Sequence, residues 1–391
     1  MSSQVEGFVA YGFENLKNTF QEIITQAPDS GAALSIWHKG ENVINLWGGL
    51  ADKDAKLPWN NETSVAVFSC TKGLMSLALA QLFQAKRISY DDLVTKFWPE
   101  YKVAGKDATT IRDLVSHRAG VPYFEKDIRF EEVVNWDYMI SMIEQEPAKW
   151  KPGSDYAYHS ITHGWLTGEI IRRVTGMSPG EYLAEEIASP LNADTWLGLP
   201  PELEDKVAYT YANEGLSSFY VDMKSKNTDA GNFVIRSLTL GTAFPMHLVG
   251  KNEGFNSPIA HKAEIPGAGG ITTAHGISKI WSSVVYETDG VRLLNDETIE
   301  YVTRVQSEGK PFTDIEPPYP RFGMGFYLDS PAREYLTESS FGHDGAGGQC
   351  AFADPEHKIG FAFVTSEMRG GVVQDDRAAR LIKDLRLSLN S

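Results

Sequence analysis

The sequence predicts an α+β protein in which one antiparallel sheet, flanked by helices, is built from both ends of the chain around an inserted all-helical subdomain. The first observation is that strand-like apolar patterns occur only towards the two ends. They occupy residues 32–38, 43–49, 321–329, 349–354 and 359–366. The second is that the chain between them is typical of helices joined by long loops. We therefore predict a sheet subdomain from 1–68 and 270–391, a mostly helical subdomain from 69–269, and an active site in the cleft between them.

The elements at the two ends follow from hydrophobic periodicity. A helix is predicted over 11–26, and Lys39-Gly40-Glu41-Asn42 forms the turn between the first two strands. Towards the other end, helices are predicted at 274–286 and near 296–305. An amphipathic helix is expected from Val373 to about Leu389.

The middle of the chain carries a series of helical patterns punctuated by glycine and proline. These helices are predicted at 70–86, 109–117, 130–145, 161–175 and 179–188. Residues 200–270 are rich in Gly, Asn, Ser and Pro and show little periodicity, so we expect long loops there.

Composition excludes several classes of function. The 391 residues include 36 basic and 52 acidic side chains, a net charge of −16, so the surface should repel nucleic acids and anionic lipid. The longest apolar run, Leu74 to Phe83, is about half of what a membrane span requires.

Neither cysteine, Cys70 or Cys350, has the spacing of a metal site, and we expect no metal and no cofactor. The start at Met1 lacks the pattern of a secretory signal, which favours a cytoplasmic protein; the sequence predicts no oligomeric state.

Ser69 and Lys72 form the first chemical motif. Ser69 begins an apolar helix, and Lys72 follows one turn later on the same face. A serine hydroxyl needs a base to become a nucleophile, and a lysine in a dry site has a lowered pKa. The alternative is that Ser69 only caps the helix. The same spacing at Ser307 and Lys310 shows that chance also supplies such pairs.

Two further motifs make the pattern specific. Lys151-Pro-Gly-Ser-Asp-Tyr-Ala-Tyr158-His-Ser160 precedes a long helix, and Phe341-Gly-His343-Asp344-Gly345-Ala346-Gly-Gly opens a strand that continues into Ala351. With the Ser69 motif, in this order, they resemble the serine β-lactamase and penicillin-binding superfamily, closest to class C β-lactamases and family VIII carboxylesterases. The resemblance spans most of the chain and implies a β-lactamase-like fold.

The resemblance assigns roles to individual residues. It implies that Ser69 is the acylated nucleophile, that Lys72 is its proton partner and that Tyr158 is the general base of the Tyr-x-Asn motif. Ser160 stands where that motif has asparagine, which puts the usual amide contact with substrate in doubt. Tyr156 and Tyr211, the latter in an intact Tyr-x-Asn, are alternatives to Tyr158.

The third motif departs from the β-lactamase pattern in a way that bears on substrate. His343-Asp344-Gly345 stands where β-lactamases place Lys-Thr-Gly, and the missing lysine would help to hold the carboxylate of a lactam or peptide. By resemblance these three residues bind substrate, and the backbone N–H groups of Ser69 and Ala346 form the oxyanion hole. Esterase relatives commonly depart at this position, and some D-amino-acid peptidases carry His-x-Gly.

The sequence therefore predicts a serine hydrolase that cleaves small carboxylic esters, with short acyl chains, through an acyl-enzyme on Ser69. The alternatives are a D-amino-acid peptidase or amidase, a weak β-lactamase, an acyltransferase, and a non-catalytic binding or assembly protein.

Other features are interpreted as structural. Gly176-Met-Ser178-Pro-Gly180 matches a nucleophile elbow, but a helix rather than a strand precedes it, so Ser178 is expected to cap a helix. Cys70 points away from the face that carries Ser69 and should be a small buried residue. His117, at a helix end, is expected to be structural. His159 and His163 flank the site at helical spacing, yet the chemistry requires no metal.

Overall fold

The computed structural model describes residues 4–370 and 375–390. In chain order the strands are β1 (Val5–Val9), β2 (Gly31–His38), β3 (Glu41–Asp52), β4 (Leu57–Pro58), β5 (Val65–Ala66), β6 (Thr195–Leu197), β7 (Tyr211–Ala212), β8 (Val249–Gly250), β9 (Glu253–Gly254), β10 (Gly270–Thr272), β11 (Arg321–Phe322), β12 (Tyr327–Leu328), β13 (Phe341–Gly345), β14 (Gln349–Asp354), β15 (Ile359–Thr365) and β16 (Glu367–Met368).

The α-helices are α1 (Glu14–Gln26), α2 (Cys70–Gln84), α3 (Ile111–Val115), α4 (Phe130–Val133), α5 (Trp136–Gln145), α6 (Thr162–Thr175), α7 (Pro179–Tyr182), α8 (Glu214–Lys226), α9 (Asp229–Thr239), α10 (Pro258–Lys262), α11 (Ala274–Val285), α12 (Asp296–Val302) and α13 (Asp376–Leu389). Shorter 3₁₀ and π turns occupy Val94–Lys96, Pro99–Lys102, Leu183–Ala188, Ser189–Leu191, Pro201–Lys206 and Ala346–Gly348.

Strands from both ends of the chain form one antiparallel sheet, which confirms the predicted fold class. Its order is β1-β3-β2-β15-β14-β13-β12-β11, with β4 beside β3. The N-terminal and C-terminal halves join where β2 pairs β15 from Ala32↔Thr365 to His38↔Ile359. Helices α1 and α13 pack together over one face, and α11 packs on the other. The sheet is therefore covered on both sides, which explains why β2 and β15 are almost wholly buried.

Helix α2 lies at the centre of the molecule. Most of its side chains are buried, and it packs against α6 on one side and β13 on the other. A small second sheet, β5-β10-β6, fixes the chain just before α2 through the pair Ile271↔Ala66. The beginning of α2 is thus held between the main sheet and the helices, where the cleft was expected. The division into subdomains at 68/69 and 269/270 remains a prediction.

The structure differs from the sequence prediction in several elements. The predicted strand 321–329 is two short strands, because Gly325 adopts φ +86° between them. The third motif is not one continuous strand, since the turn Ala346–Gly348 separates β13 from its antiparallel neighbour β14. The predicted helix 130–145 is two helices, and Asn135 caps the second. Strand β1 was not predicted. The expected start of the last helix, Val373, lies outside the described residues.

Helices α8 and α9 were also not predicted, since residues 200–270 seemed to be loops. Leu216 is the buried apolar residue of α8, and the residues that α9 buries are small or polar. With one buried apolar residue, α8 leaves no clear apolar stripe in the sequence. Helix α9 is amphipathic, but its apolar side chains are only partly buried. No helix within residues 4–370 and 375–390 combines the length and apolarity needed to cross a membrane.

Candidate active site

Ser69 lies at the beginning of α2, half-buried at the wall of a cavity. The residue before it, Phe68, has φ +45°, a left-handed conformation that costs about 1–3 kcal/mol in a residue other than glycine. Ser69 occupies the cap position of α2, but its side chain makes no capping hydrogen bond. Its hydroxyl is therefore directed to partners other than the helix backbone.

Lys72 is completely buried beside it. Its Nζ lies 2.9 Å from Ser69 Oγ and 2.6 Å from each of two carbonyl oxygens, those of Ser160 and Gly267. No carboxylate of the described residues forms an ion pair with it. Burial accordingly holds the pKa of Lys72 well below its usual value.

This arrangement orients the amine when it is neutral. The two carbonyl oxygens can only accept, so they take the two N–H groups of a neutral amine. The remaining position around Nζ carries the lone pair, and Ser69 Oγ lies there at 2.9 Å. The geometry therefore suits transfer of the serine proton to Lys72.

Tyr158 borders the same cavity as Ser69. Its ring centroid is 5.1 Å from the Nζ of Lys72. Burial, followed by the nearby Tyr327, raises the pKa of Tyr158 well above its usual value. The phenol is thus held neutral, as a group that can donate a proton and be reprotonated.

The two alternative tyrosines are engaged elsewhere. Tyr156 donates to the carbonyl of Gly309, and Tyr211 donates to the carbonyl of Asp29 at 3.1 Å. The structure brings Tyr158 to Ser69, in preference to either of them.

Ser69 and Tyr158 border a cavity of about 450 Å³. The other walls include Tyr327, Arg333, Asp344 and the backbone of 345–348. A larger groove of about 760 Å³ lies elsewhere, between the end of α2 and α12, and includes none of the three motifs. We therefore take the smaller cavity as the candidate site.

The segment Gly345-Ala346 approaches the nucleophile closely. A Cβ added to Gly345 would lie 2.2 Å from the carbonyl oxygen of Val67, two residues before Ser69. Only glycine fits between the two backbones. This contact brings the beginning of α2 and the end of β13 together, and Ala346 borders the same cavity as Ser69.

His343 and Asp344 have opposite placements, because neighbouring strand residues point to opposite faces. The His343 ring is fully buried, with Nδ1 2.7 Å from the carbonyl of Asp344, and does not border the cavity. The expectation that its side chain meets substrate therefore disagrees with the geometry. Asp344 does border the cavity and pairs with Arg333 at 2.9 Å.

Ser160 contributes its backbone rather than its side chain to this centre. Its carbonyl accepts from Lys72, and its N–H donates to Ser237 Oγ at 3.1 Å. The residue borders a second, smaller cavity of about 100 Å³ on the far side of Tyr158. No sequence motif pointed to Gly267 or Arg333, because each reaches the site only through the fold.

The residues interpreted as structural have structural roles here. Ser178 caps α7 with a hydrogen bond from Glu181 N, and no strand precedes it. Cys70 is buried, with Sγ 3.0 Å from the carbonyl of His343, and burial raises the pKa of its thiol. Ser307 donates to the carbonyl of Ser116. In the part of the chain that the structure describes, no group of three His, Cys, Asp or Glu side chains is placed to hold a metal ion.

Comparisons with known proteins identify the family of the chain. The β-lactamase family model matches residues 20–384. The esterase/β-lactamase LipL of Mycobacterium tuberculosis is 29% identical over 357 residues, which cover 89% of this chain and 80% of LipL.

Two solved structures are similar over nearly their whole length. One is a family VIII carboxylesterase, with a TM-score of 0.86, 27% identity, and coverage of 98% of this chain and 100% of that one. The other is a penicillin-binding protein homologue from Caulobacter crescentus, with a TM-score of 0.87, 28% identity and the same coverage. Together with the family match, these two similarities identify the fold and the class of reaction. The chain belongs to the β-lactamase family and is a serine hydrolase of the β-lactamase and penicillin-binding superfamily.

Proposed function

We propose that this protein is a carboxylesterase that hydrolyses small esters with short acyl chains through an acyl-enzyme on Ser69. The observation that carries the proposal is the buried Lys72, whose Nζ lies 2.9 Å from the serine hydroxyl with its other positions occupied by carbonyl oxygens. Burial lowers the pKa of Lys72, so less free energy is needed to deprotonate it and use it as the base that activates the serine.

In the first step, Lys72 Nζ takes the proton of Ser69 Oγ while Oγ bonds to the ester carbonyl carbon. The carbonyl oxygen becomes an oxyanion, which the backbone N–H groups of Ser69 and Ala346 stabilise. The tetrahedral intermediate then expels the alkoxide. Tyr158 donates its proton to this leaving oxygen and is reprotonated by the Lys72 ammonium, which leaves the lysine neutral again.

In the second step, water attacks the acyl-enzyme. The water proton passes to Lys72, the oxyanion forms again between the same N–H groups, and Ser69 leaves as a hydroxyl after reprotonation. The carboxylic acid is released. If an alcohol replaces water, the product is a new ester, so acyl transfer uses the same steps.

This division of roles differs from the one implied by resemblance, in which Tyr158 is the general base. The pKa of Tyr158 is raised and that of Lys72 is lowered, so the lysine is the stronger candidate for the base. Tyr158 then serves as the proton donor to the leaving group.

The charges around the cavity favour an ester over a lactam or peptide carboxylate. Two arginines border the cavity, and each pairs with a carboxylate: Arg333 with Asp344 at 2.9 Å, and Arg369 with Glu367 at 2.8 Å. Since these guanidinium charges are already balanced, a substrate carboxylate gains little there. This supports the esterase above the β-lactamase and the D-amino-acid peptidase.

The small cavity behind Tyr158 supports the proposal that the ester has a short acyl chain. Its volume is about 100 Å³, and Phe233, Val234 and Phe322 are among the apolar side chains around it. A space of this size suits a short alkyl group better than a long chain. We propose that it receives the alkyl part of the acyl chain.

Turnover of p-nitrophenyl acetate and butyrate by the wild type and Ser69→Ala tests the proposal. We expect hydrolysis by the wild type and its loss in the variant, with folding checked by circular dichroism. Parallel assays with a chromogenic cephalosporin and a D-alanyl amide separate the alternatives. Faster cleavage of either than of the esters would replace the esterase assignment, and no turnover of any substrate would favour a non-catalytic protein.

A further inference from the structure

His117 is bonded to both neighbours of Tyr158. Its carbonyl oxygen accepts from the N–H of Ala157 at 3.2 Å, and its Nδ1 accepts from the N–H of His159 at 3.2 Å. Its ring also packs against the phenol, with the centroids 4.8 Å apart. One residue thus holds the backbone before and after Tyr158 as well as its ring.

The conformation of His117 is unusual. Its φ is +63°, in the left-handed region that residues other than glycine seldom adopt, and the side chain is fully buried. This backbone geometry lets the carbonyl and the ring of the same residue reach the segment around Tyr158. Strained conformations of this kind cluster at functional sites.

The hydrogen bonds also fix the protonation of the ring. Because Nδ1 accepts from His159 N–H, a neutral His117 carries its proton on Nε2. Burial, with His163 and His159 nearby, holds the pKa of His117 well below its usual value. Its Nε2 is buried and has no hydrogen-bond partner among residues 4–370 and 375–390. A phenyl ring in the same place would not bury an unpaired polar atom.

We propose that His117 is a positioning residue of the reaction, which holds the phenol of Tyr158 against Ser69 by fixing the backbone on both sides of it and by packing against its ring. The inference rests on the proposed function, in which Tyr158 transfers the proton to the leaving group. It assigns to His117 no contact with substrate. Its loss should therefore slow the chemical step and leave substrate binding nearly unchanged.

The test compares His117→Gly with His117→Asn in hydrolysis of ethyl butyrate, followed by titration of the released acid. Unlike p-nitrophenolate, the ethoxide leaving group needs the proton that Tyr158 donates. Both residues tolerate the left-handed conformation, but only asparagine offers an acceptor, Oδ1, where histidine has Nδ1. We expect His117→Gly to lower kcat by about 100-fold with KM within about threefold, since misplacement of a catalytic group by about 1 Å costs this much. His117→Asn should regain about tenfold of that loss because it restores the bond to His159 N–H.

His261→Ala is the control for the loss of a buried histidine. Both of its ring nitrogens are paired, with Glu204 and with the carbonyl of Phe255, and it borders neither cavity. This variant should lose stability and keep kcat. If folded His117→Gly keeps kcat within threefold, or His117→Asn is no better than His117→Gly, the inference is wrong while the esterase proposal stands. An inactive wild type would overturn the esterase proposal itself.

Nitrogen-15 NMR of the wild-type histidines tests the inference even if the variants do not fold. We expect His117 to be neutral at neutral pH, with its proton on Nε2 and Nδ1 as the acceptor. A His117 ring that titrates near the ordinary value of about 6.5, or that carries its proton on Nδ1, would contradict the inference.

Discussion

Replacing Gly345 with alanine should disable the site without touching a catalytic side chain. The added Cβ would lie 2.2 Å from the carbonyl oxygen of Val67, whereas ordinary contact begins at 3.4 Å, so the two backbones must separate by about 1.2 Å. Val67 is two residues before Ser69, and Gly345 directly precedes Ala346. The separation therefore pulls apart the two N–H groups proposed to bind the oxyanion.

The expected loss follows from the geometry that such a site demands. Oxyanion donors act at about 2.7–3.1 Å, and loss of one donor lowers kcat by about 100- to 1,000-fold. We expect Gly345→Ala to lower kcat for p-nitrophenyl butyrate by about 100-fold or more. Gly345 has an extended backbone with φ −109°, so the effect comes from the collision and not from the loss of a left-handed conformation.

The control is Gly105→Ala, at an exposed turn where an added Cβ meets nothing within 4 Å. Gly105 has φ +82°, so this variant should lose about 1–2 kcal/mol of stability through backbone strain and keep its activity. Steady-state kinetics and urea unfolding of both variants separate catalysis from stability. A folded Gly345→Ala that retains kcat within threefold of the wild type would refute the placement of the oxyanion site.

Three further predictions test other parts of the structure. Val234→Trp should fill the cavity behind Tyr158 and lower the ratio of butyrate to acetate hydrolysis by about tenfold; an unchanged ratio would place the acyl chain elsewhere. Ser178→Ala should cost about 1 kcal/mol in urea unfolding through the lost cap of α7, with turnover unchanged, and loss of turnover would restore the nucleophile-elbow alternative. Burial lowers the pKa of Lys106 from 10.5 to about 8, so the unfolded chain binds this proton more tightly. The free energy of unfolding should therefore gain a contribution from Lys106 as pH rises from about 8 to 10.5, and Lys106→Met should remove it; parallel pH dependences of the two proteins would contradict this.

The sheet and the central helix could be predicted from the sequence because their apolar patterns are local and strong. Strands 32–38 and 359–366 are almost wholly buried in the structure, and the helix after Ser69 is apolar on most sides. Helix α8 could not be predicted, because it buries one apolar side chain and leaves no clear periodic pattern, and its cap Asn213 was the local signal for it. Helix α9 is amphipathic and is capped by Thr228, but it lies in a segment rich in Gly, Asn, Ser and Pro and was missed there.

The nucleophile and its partners were found by motif, but their environment was not. The carbonyl oxygens that orient Lys72 come from Ser160 and Gly267, which are 88 and 195 residues away in the chain. No local sequence pattern predicts which carbonyl oxygen, so far away along the chain, will accept a hydrogen bond. His117 was interpreted as structural for the same reason, since its contacts with the segment around Tyr158 exist only in the folded chain.

Ser69 is proposed to carry the acyl group during turnover. The most direct measurement is intact mass spectrometry of the protein quenched in acid during hydrolysis of p-nitrophenyl butyrate, followed by peptide mapping. We expect a transient adduct of one butyryl group on Ser69 in the wild type and in Ser178→Ala, and none in Ser69→Ala. An adduct on another residue, or one that persists in Ser69→Ala, would contradict this role of Ser69.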